Sequence, residues 1–216
     1  MHIAILGGTG PQGRGLASRF ARAGHDVQIG SRAADRAEHI AAALNARLAD
    51  DRAIGSGGNL DVVANADLVI VAVPFKTQTS LLDALAEPLA GRIVVSCVNP
   101  IAFDDQGPHG VDVAEGSAAQ QAARILHRST VVAAFHHLAA ATLEGDDPVH
   151  DETVLVCGDD ADAKAVVIDL AAAVAGRGGV DAGPLRNART LESLAAVLIH
   201  INRQHKARSG IAISGL

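Results

Sequence analysis

A chain of 216 residues with 49% hydrophobic and 19% charged side chains is long enough for one large folded domain, or one domain with a small appendage, and carries no signature of disorder. A formal net charge of −6 and a pI near 5.9, with no run of lysine or arginine, argue against a nucleic-acid partner. No apolar stretch reaches membrane-spanning length and the N-terminus enters a strand at once, so a cytoplasmic protein with no membrane partner is expected.

Residues 3–6, Ile-Ala-Ile-Leu, read as a buried strand, and Leu16 and Phe20 mark a helix over residues 13–23. Between them lies Gly8-Thr9-Gly10-Pro11-Gln12-Gly13, a G-x-G-x-x-G loop in its required context of strand, turn and helix. Residues 27–30 form the second strand and 32–47 an alanine-rich helix. A short strand at 53–55, a glycine turn at 56–59 and a brief helix at 61–65 follow. Residues 67–74 are an apolar strand stopped by Pro74, 81–89 a helix, and 92–98 a strand ending at Asn99-Pro100. This alternation predicts an α/β fold of Rossmann type, a doubly wound parallel sheet that binds ligands beyond the carboxyl ends of its strands. Gly8 to Gly13, Gly30 to Arg32, Pro74-Phe75 and Asn99-Pro100 would then share one rim.

Residues 103–116, rich in Asp and Gly, read as a loop able to fold over that rim. A helix at 117–126, an apolar strand at 130–137 and an acidic turn at 145–151 close the first part. The second part reads as a strand at 153–157, a helix at 161–175, a short strand at 180–182 and a last helix. That helix carries the stripe Leu191, Leu194, Leu198 and Ile201, widened by Ala195, Val197 and Ile199. A helix apolar on more than one side is expected to be buried on more than one side, against its own domain and a second subunit. The division expected is residues 1–147 as the dinucleotide domain and 148–216 as a small C-terminal α/β domain.

The glycines of the loop have distinct physical roles, one allowing a tight turn, one the close approach of backbone to a pyrophosphate, and one the close packing of helix on strand. The phosphates would rest on N–H groups at the helix N-terminus. The second strand lacks the carboxylate that holds the ribose 2′-OH of NAD, since Gly30 stands there. Ser31, Arg32 and Arg36 offer a hydroxyl and two guanidiniums suited to a 2′-phosphate, which favours NADP. Phe75 and Phe135 follow apolar strands and can reach the rim, and Asn99 can offer its amide to a nicotinamide.

His136 and His137 are adjacent on a strand end, so alternation predicts that only one faces the pocket, as a proton donor or hydrogen-bonding group, and the other lies on the surface. His200 and His205 are five apart on a helix and no Cys/His cluster has ligand spacing, so no metal site is expected. Cys97 and Cys157 lie in apolar runs and read as free buried thiols. The chain has no tyrosine, which excludes any mechanism that needs a tyrosyl acid, the short-chain dehydrogenases among them. After the acidic turn it is too short for the long helical domain of 6-phosphogluconate-type dehydrogenases.

The loop Gly7 to Gly13, Gly30-Ser31-Arg32, Ala72-Val73-Pro74, Asn99-Pro100, Phe135-His136-His137-Leu138, Cys157-Gly158-Asp159-Asp160 and Gly183-Pro184-Leu185-Arg186-Asn187-Ala188 together resemble the NADPH-dependent reductases of coenzyme F420, an 8-hydroxy-5-deazaflavin. Glu192-Ser193-Leu194 and Gly210-Ile211 continue the resemblance to the C-terminus. It implies a homodimer that passes a hydride between the nicotinamide C4 of NADP(H) and C5 of the deazaflavin, both being small-molecule coenzymes. It also implies that Thr9, Gly10, Pro11 and Gln12 bind the pyrophosphate and Ser31, Arg32 and Arg36 the 2′-phosphate. Phe75, Asn99 and Ala140 would flank the nicotinamide, and Ser209 would meet the deazaflavin. Archaeal members place a proline before the residue matched by Ala140, where this chain has Ala139. Hydride transfer between stacked rings needs no obligatory acid or base, so His136 is only a candidate catalytic residue. A flavin or ferric reductase of related fold, or an NADP redox sensor without turnover, are the alternatives.

Overall fold

The computed structural model describes residues 1–48, 53–145, 149 and 151–215. Strand β1 (His2–Leu6) pairs in parallel with β2 (Asp26–Ser31) on one side and with β4 (Leu68–Val71) on the other. Helix α1 (Pro11–Arg22) crosses between the first two strands. Because the sheet grows outward in both directions from β1, the loop after β1 sits at the topological switch point, where α/β sheets open a crevice.

Helix α2 (Ala34–Asn45) leads to β3 (Ile54–Gly58), which closes that edge. After α3 (Asn59–Val63), β4 and α4 (Phe75–Leu85), the sheet continues through β5 (Ile93–Ser96) and β8 (Thr130–Ala133), with α5 (Ala118–Ile125) between them. The strands alternate their side chains between two cores. Ile3 and Ile5 pack with Leu16, Phe20 and Ile29 on one face, and Ala4 and Leu6 with Val62, Val69 and Val71 on the other.

Beyond β8, the short helix α6 (Ala140–Leu143) precedes β9 (Val154–Gly158), which joins β8 antiparallel. Helix α7 (Ala161–Ala171) and β10 (Gly179–Asp181) follow, with β10 parallel to β9. The eight strands thus form one sheet, β10-β9-β8-β5-β4-β1-β2-β3. The C-terminal segment extends that sheet and shares its cores, through Val154, Val156 and Val167 on one face and Cys157, Leu185 and Leu191 on the other. The acidic turn and the boundary at residues 147/148 fall largely outside the described residues. A 3-10 turn (Leu185–Asn187) then feeds the long helix α8 (Ala188–His205).

Three expectations change. Of the glycine turn expected at 56–59, residues 56–58 belong to β3 and Asn59 opens α3, since Gly57 and Gly58 pair with Gly30 and Ser31 and the neighbouring strand supplies what glycine propensity does not. Helix α4 starts at Phe75, directly after Pro74, rather than near residue 81. The loop expected over the rim is a hairpin, β6 (Ile101–Asp104) with β7 (Gly107–Gly110), standing against α8. Gly110 lies so close to Ser193 that an added Cβ would sit 3.0 Å from its Oγ, and Arg203 lies 4.7 Å above the Phe103 ring.

Candidate active site

The loop after β1 is shaped by backbone contact on every side. Gly7 has φ +79°, a left-handed conformation, and a Cβ there would come within 2.5 Å of Ala72 O. A Cβ on Gly8 would meet Ile29 at 2.5 Å, and one on Gly13 would meet Gly7 O at 2.6 Å and the Gly8 Cα at 2.7 Å. The last clash is with fixed backbone, so Gly13 is what allows α1 to start so close to β1. Gly10 caps α1 without a side-chain hydrogen bond, Pro11 stands in its first turn, and no acidic residue lies there. The first helical bond is Arg14 N–H to Gly10 O at 2.9 Å, leaving the N–H groups of Gln12 and Gly13 turned toward the loop. Thr9 is nearly buried, and its carbonyl accepts from Arg14 Nη1 at 3.3 Å.

At the end of β2, Ser31 Oγ accepts from Ala33 N–H at 3.2 Å. Arg32 and Arg36 are exposed, and neither takes part in the ion pairs among the described residues. A Cβ on Gly30 would lie 2.8 Å from Asn59 Oδ1 and 2.9 Å from Val62 Cγ2. The place where an NAD-type carboxylate would stand is therefore filled from α3.

A cavity of about 480 Å³ runs from Gln12 past Asn99, His136 and Ala140 to Asn202 and Ser209. The Gln12 side chain donates to Phe135 O at 3.0 Å and Asn99 Nδ2 donates to His136 O at 2.9 Å, so both amides fix the chain beyond β8. Asn99 Oδ1 is buried and has no partner among the described residues, a free acceptor at the wall. Helix α6 is tied to α1 by Arg19, whose guanidinium donates to Leu143 O, Thr142 O and Gly145 O at 3.3, 3.0 and 3.0 Å. Arg14 adds an ion pair to Glu144 at 2.5 Å. This fastening holds Ala139, Ala140 and Ala141, three small residues, along the cavity.

The two histidines depart from expectation. Both are buried, at 3% and 2% exposure, and both contribute to the cavity wall, so neither is a surface residue. Strand alternation fails because β8 ends at Ala133 and Phe135 takes φ +65°, turning the chain before the pair. His137 Nε2 lies 2.8 Å from Thr153 O, a geometry in which Nε2 carries the proton and donates. His136 has neither ring nitrogen hydrogen-bonded among the described residues. Burial, with a smaller contribution from His137, pushes its pKa down to about 3, so at neutral pH it is a neutral ring with one donor and one acceptor rather than a charged acid. Phe135 is fully buried and packs edge-on to Phe20 with centroids 6.0 Å apart; it is core and not a rim residue.

A histidine whose folded pKa lies below its unfolded value lends stability above pH 6.5 that is lost as pH falls toward the folded value. From pH 7 to pH 5 the His136 contribution should fall by about 2 kcal/mol. Thermal melts at the two pH values should show a smaller acid loss for His136→Gln than for the parent, and parallel losses would refute the assignment.

Of the residues expected at the site, Gln12, Asn99, His136, Ala140 and Ser209 are brought together. Ser31, Arg32 and Arg36 stand apart at the end of β2. Phe75 opens α4, half-buried against the core under that helix, and is not among the residues that line the cavity. The α8 side of the wall, with Ala195, Leu198, Ile199, Asn202 and Arg203, was not foreseen as part of the site, nor was Arg208 in the tail. The one signal for it in the sequence is Asn202, a turn beyond Leu198 on an apolar stripe. Cys97 and Cys157 are free and buried, and burial raises both thiols. Among the described residues, no three His, Cys, Asp or Glu side chains gather as a metal cluster.

The family NADP oxidoreductase coenzyme F420-dependent matches residues 2–100. The chain is 38% identical to the F420-dependent NADP reductase of Methanothermobacter thermautotrophicus over all of its own length and 96% of that protein. It is 39% identical to that of Methanocaldococcus jannaschii, over all of this chain and 99% of the other. A candidate F420-dependent NADP reductase of Arthrobacter sp. FB24, known from its crystal structure, superposes with a TM-score of 0.84 at 30% identity over 99% of both chains.

Proposed function

The chain belongs to the F420-dependent NADP reductases, and from that premise we propose that it moves a hydride reversibly between NADP(H) and coenzyme F420 in the cavity between Gln12 and Ser209. The observation that carries this reading is that one cavity reaches from Gln12, in the loop after β1, to Ser209 in the C-terminal tail, so the reacting rings of two coenzymes can meet face to face inside it. Gly8, Thr9, Gly10, Pro11, Gln12 and Gly13 take the pyrophosphate, and Ser31, Arg32 and Arg36 the 2′-phosphate. Asn99 Oδ1, lacking a partner, accepts from the nicotinamide carboxamide. Phe75 contributes only along the rim.

With both coenzymes in place, the hydride passes from nicotinamide C4 to deazaflavin C5. The protein's part is to align the rings and exclude water, and positioning of this kind can lower a barrier by roughly 7 to 11 kcal/mol. Ala139 and Ala140 leave room for close approach, and Leu198 and Ile199 keep the opposite wall dry. His136, held neutral, serves as a hydrogen-bonding group to a bound ring. Segment 148–216 completes the deazaflavin side. We read the protein as a cytoplasmic homodimer: Val197 and Ile201 on α8, with Phe103 and Val111 at the hairpin, expose apolar surface of the kind a second copy covers. No helix of the described residues is long and apolar enough to cross a membrane.

Mixing protein, NADPH and oxidised coenzyme should bleach the visible absorbance of the deazaflavin. No bleaching under conditions where NADPH binds would sink the reading. Turnover of free flavin or ferric iron instead would transfer the assignment to those reductases, and binding without any turnover would leave an NADP sensor.

A further inference from the structure

The last 24 residues of this acidic protein, 193–216, contain Arg203, Lys206 and Arg208 and no acidic side chain. Of these three cations, Arg203 and Arg208 stand at the α8 end of the cavity. Lys206 closes α8 in a left-handed conformation, φ 50° and ψ 40°, which reverses the chain. Ser209 then donates twice to Asn202 Oδ1, from its N–H at 2.6 Å and its hydroxyl at 2.7 Å. Further on, Ile211 O accepts from Thr153 N–H at 2.7 Å. The tail is thus pinned on the C-terminal side of Arg208, and Arg208 Nη1 reaches Ala141 O across the cavity at 3.2 Å.

Arg203 and Arg208 both line the cavity, both are exposed, and none of the three cations enters an ion pair among the described residues. The negative end of the α8 dipole accounts for Arg203 near the last turn. It does not account for Arg208, which lies beyond the helix and is returned to the cavity by the tail.

Accepting the reductase reading, we propose that Arg203 and Arg208, with Lys206 beside them, form a subsite for the anionic side chain of the deazaflavin coenzyme. Beyond its rings that coenzyme carries a ribityl chain ending in a phosphodiester and carboxylates. Guanidiniums pair with such groups through short, charge-assisted hydrogen bonds. The ring system would lie deeper, against Leu198 and Ala140, and the chain would leave by the cationic mouth. The subsite would select the complete coenzyme over a neutral deazaflavin.

The test compares the complete coenzyme with its truncated form, the deazaflavin bearing only the ribityl chain, in NADPH-dependent turnover. The parent protein should prefer the complete form in kcat/KM, through KM, and the preference should shrink as salt is raised. In the double variant Arg203→Gln/Arg208→Gln the ratio of the two kcat/KM values should fall at least tenfold. NADPH binding read by fluorescence reports that the variant is folded, and Arg203→Lys/Arg208→Lys should restore part of the ratio. An unchanged ratio in the glutamine variant, or a parent with no preference, would overturn the subsite while leaving the reductase assignment standing. A parent that reduces neither form while binding NADPH would overturn the reductase assignment and the subsite with it.

Discussion

Arg32→Ala is expected to weaken NADPH by roughly 1.5 to 3 kcal/mol, about 10- to 150-fold in Kd, with a far smaller effect on NADH. The two coenzymes differ only by the 2′-phosphate, so the difference isolates contacts to that group. Arg32 follows Ser31 directly at the end of β2, and Arg36 lies in the first turn of α2. Neither guanidinium is engaged in an ion pair among the described residues, so nothing in the protein competes with a phosphate for them. Backbone pairing of Ser31 with Gly58 fixes the strand end, and Ser31 Oγ is held by Ala33 N–H, so the phosphate would meet a prepared corner. An acidic residue at position 30 would have to displace the side chains of Asn59 and Val62, which lie 2.8 and 2.9 Å from where its Cβ would stand. Titration of parent and variant with NADPH and NADH, followed by coenzyme fluorescence, measures the effect; an equal loss for both coenzymes would refute the phosphate assignment.

What could be read in advance was what is local in the chain. The loop Gly8 to Gly13 and the group Ser31, Arg32 and Arg36 each lie within a few residues of a strand end, and strand periodicity places them without knowledge of the rest. The strands of the sheet were legible for the same reason, their apolar runs being bounded by Gly, Pro or Asn. The cavity was only half legible, because its far wall comes from α8 and from a tail folded back onto Thr153. No periodicity in the sequence announces that return. His136 and His137 were misread because a left-handed Phe135 breaks the alternation, and nothing marks a phenylalanine for positive φ. The hairpin β6/β7 was hidden by its Asp- and Gly-rich composition, which suits a loop until α8 offers a surface to stand on.

Loss of Glu192 should cost a large share of the protein's stability. It sits among Leu191, Ala195 and Leu198 on the buried face of α8 and is only 1% exposed, a charge on an apolar stripe. Its carboxylate accepts from Ala118 N–H at 2.8 Å and Ala119 N–H at 3.0 Å, the first two residues of α5. Ser117 caps the same helix through Gln120 N–H at 3.0 Å. The first turn of α5 is thus satisfied jointly by its own serine and by a side chain from 73 residues away, and the junction fastens α8, the helix that lines the cavity, to α5. Glu192→Ala would leave two buried donors unpaired, at about 1 to 3 kcal/mol each, so a loss of roughly 2 to 6 kcal/mol in a denaturant melt is expected. Glu192→Gln keeps one acceptor and should fall between. Burial outweighs the two N–H groups and lifts the carboxyl to about 7. Since the folded value lies above the unfolded one, the folded state holds the proton more tightly, and stability declines as pH rises from about 4.5 through 7. That slope opposes the one from His136, so the two variants separate them: His136→Gln should flatten the acid limb and Glu192→Gln the limb approaching neutrality. A Glu192→Ala protein as stable as the parent would show that α5 keeps its first turn without help from α8.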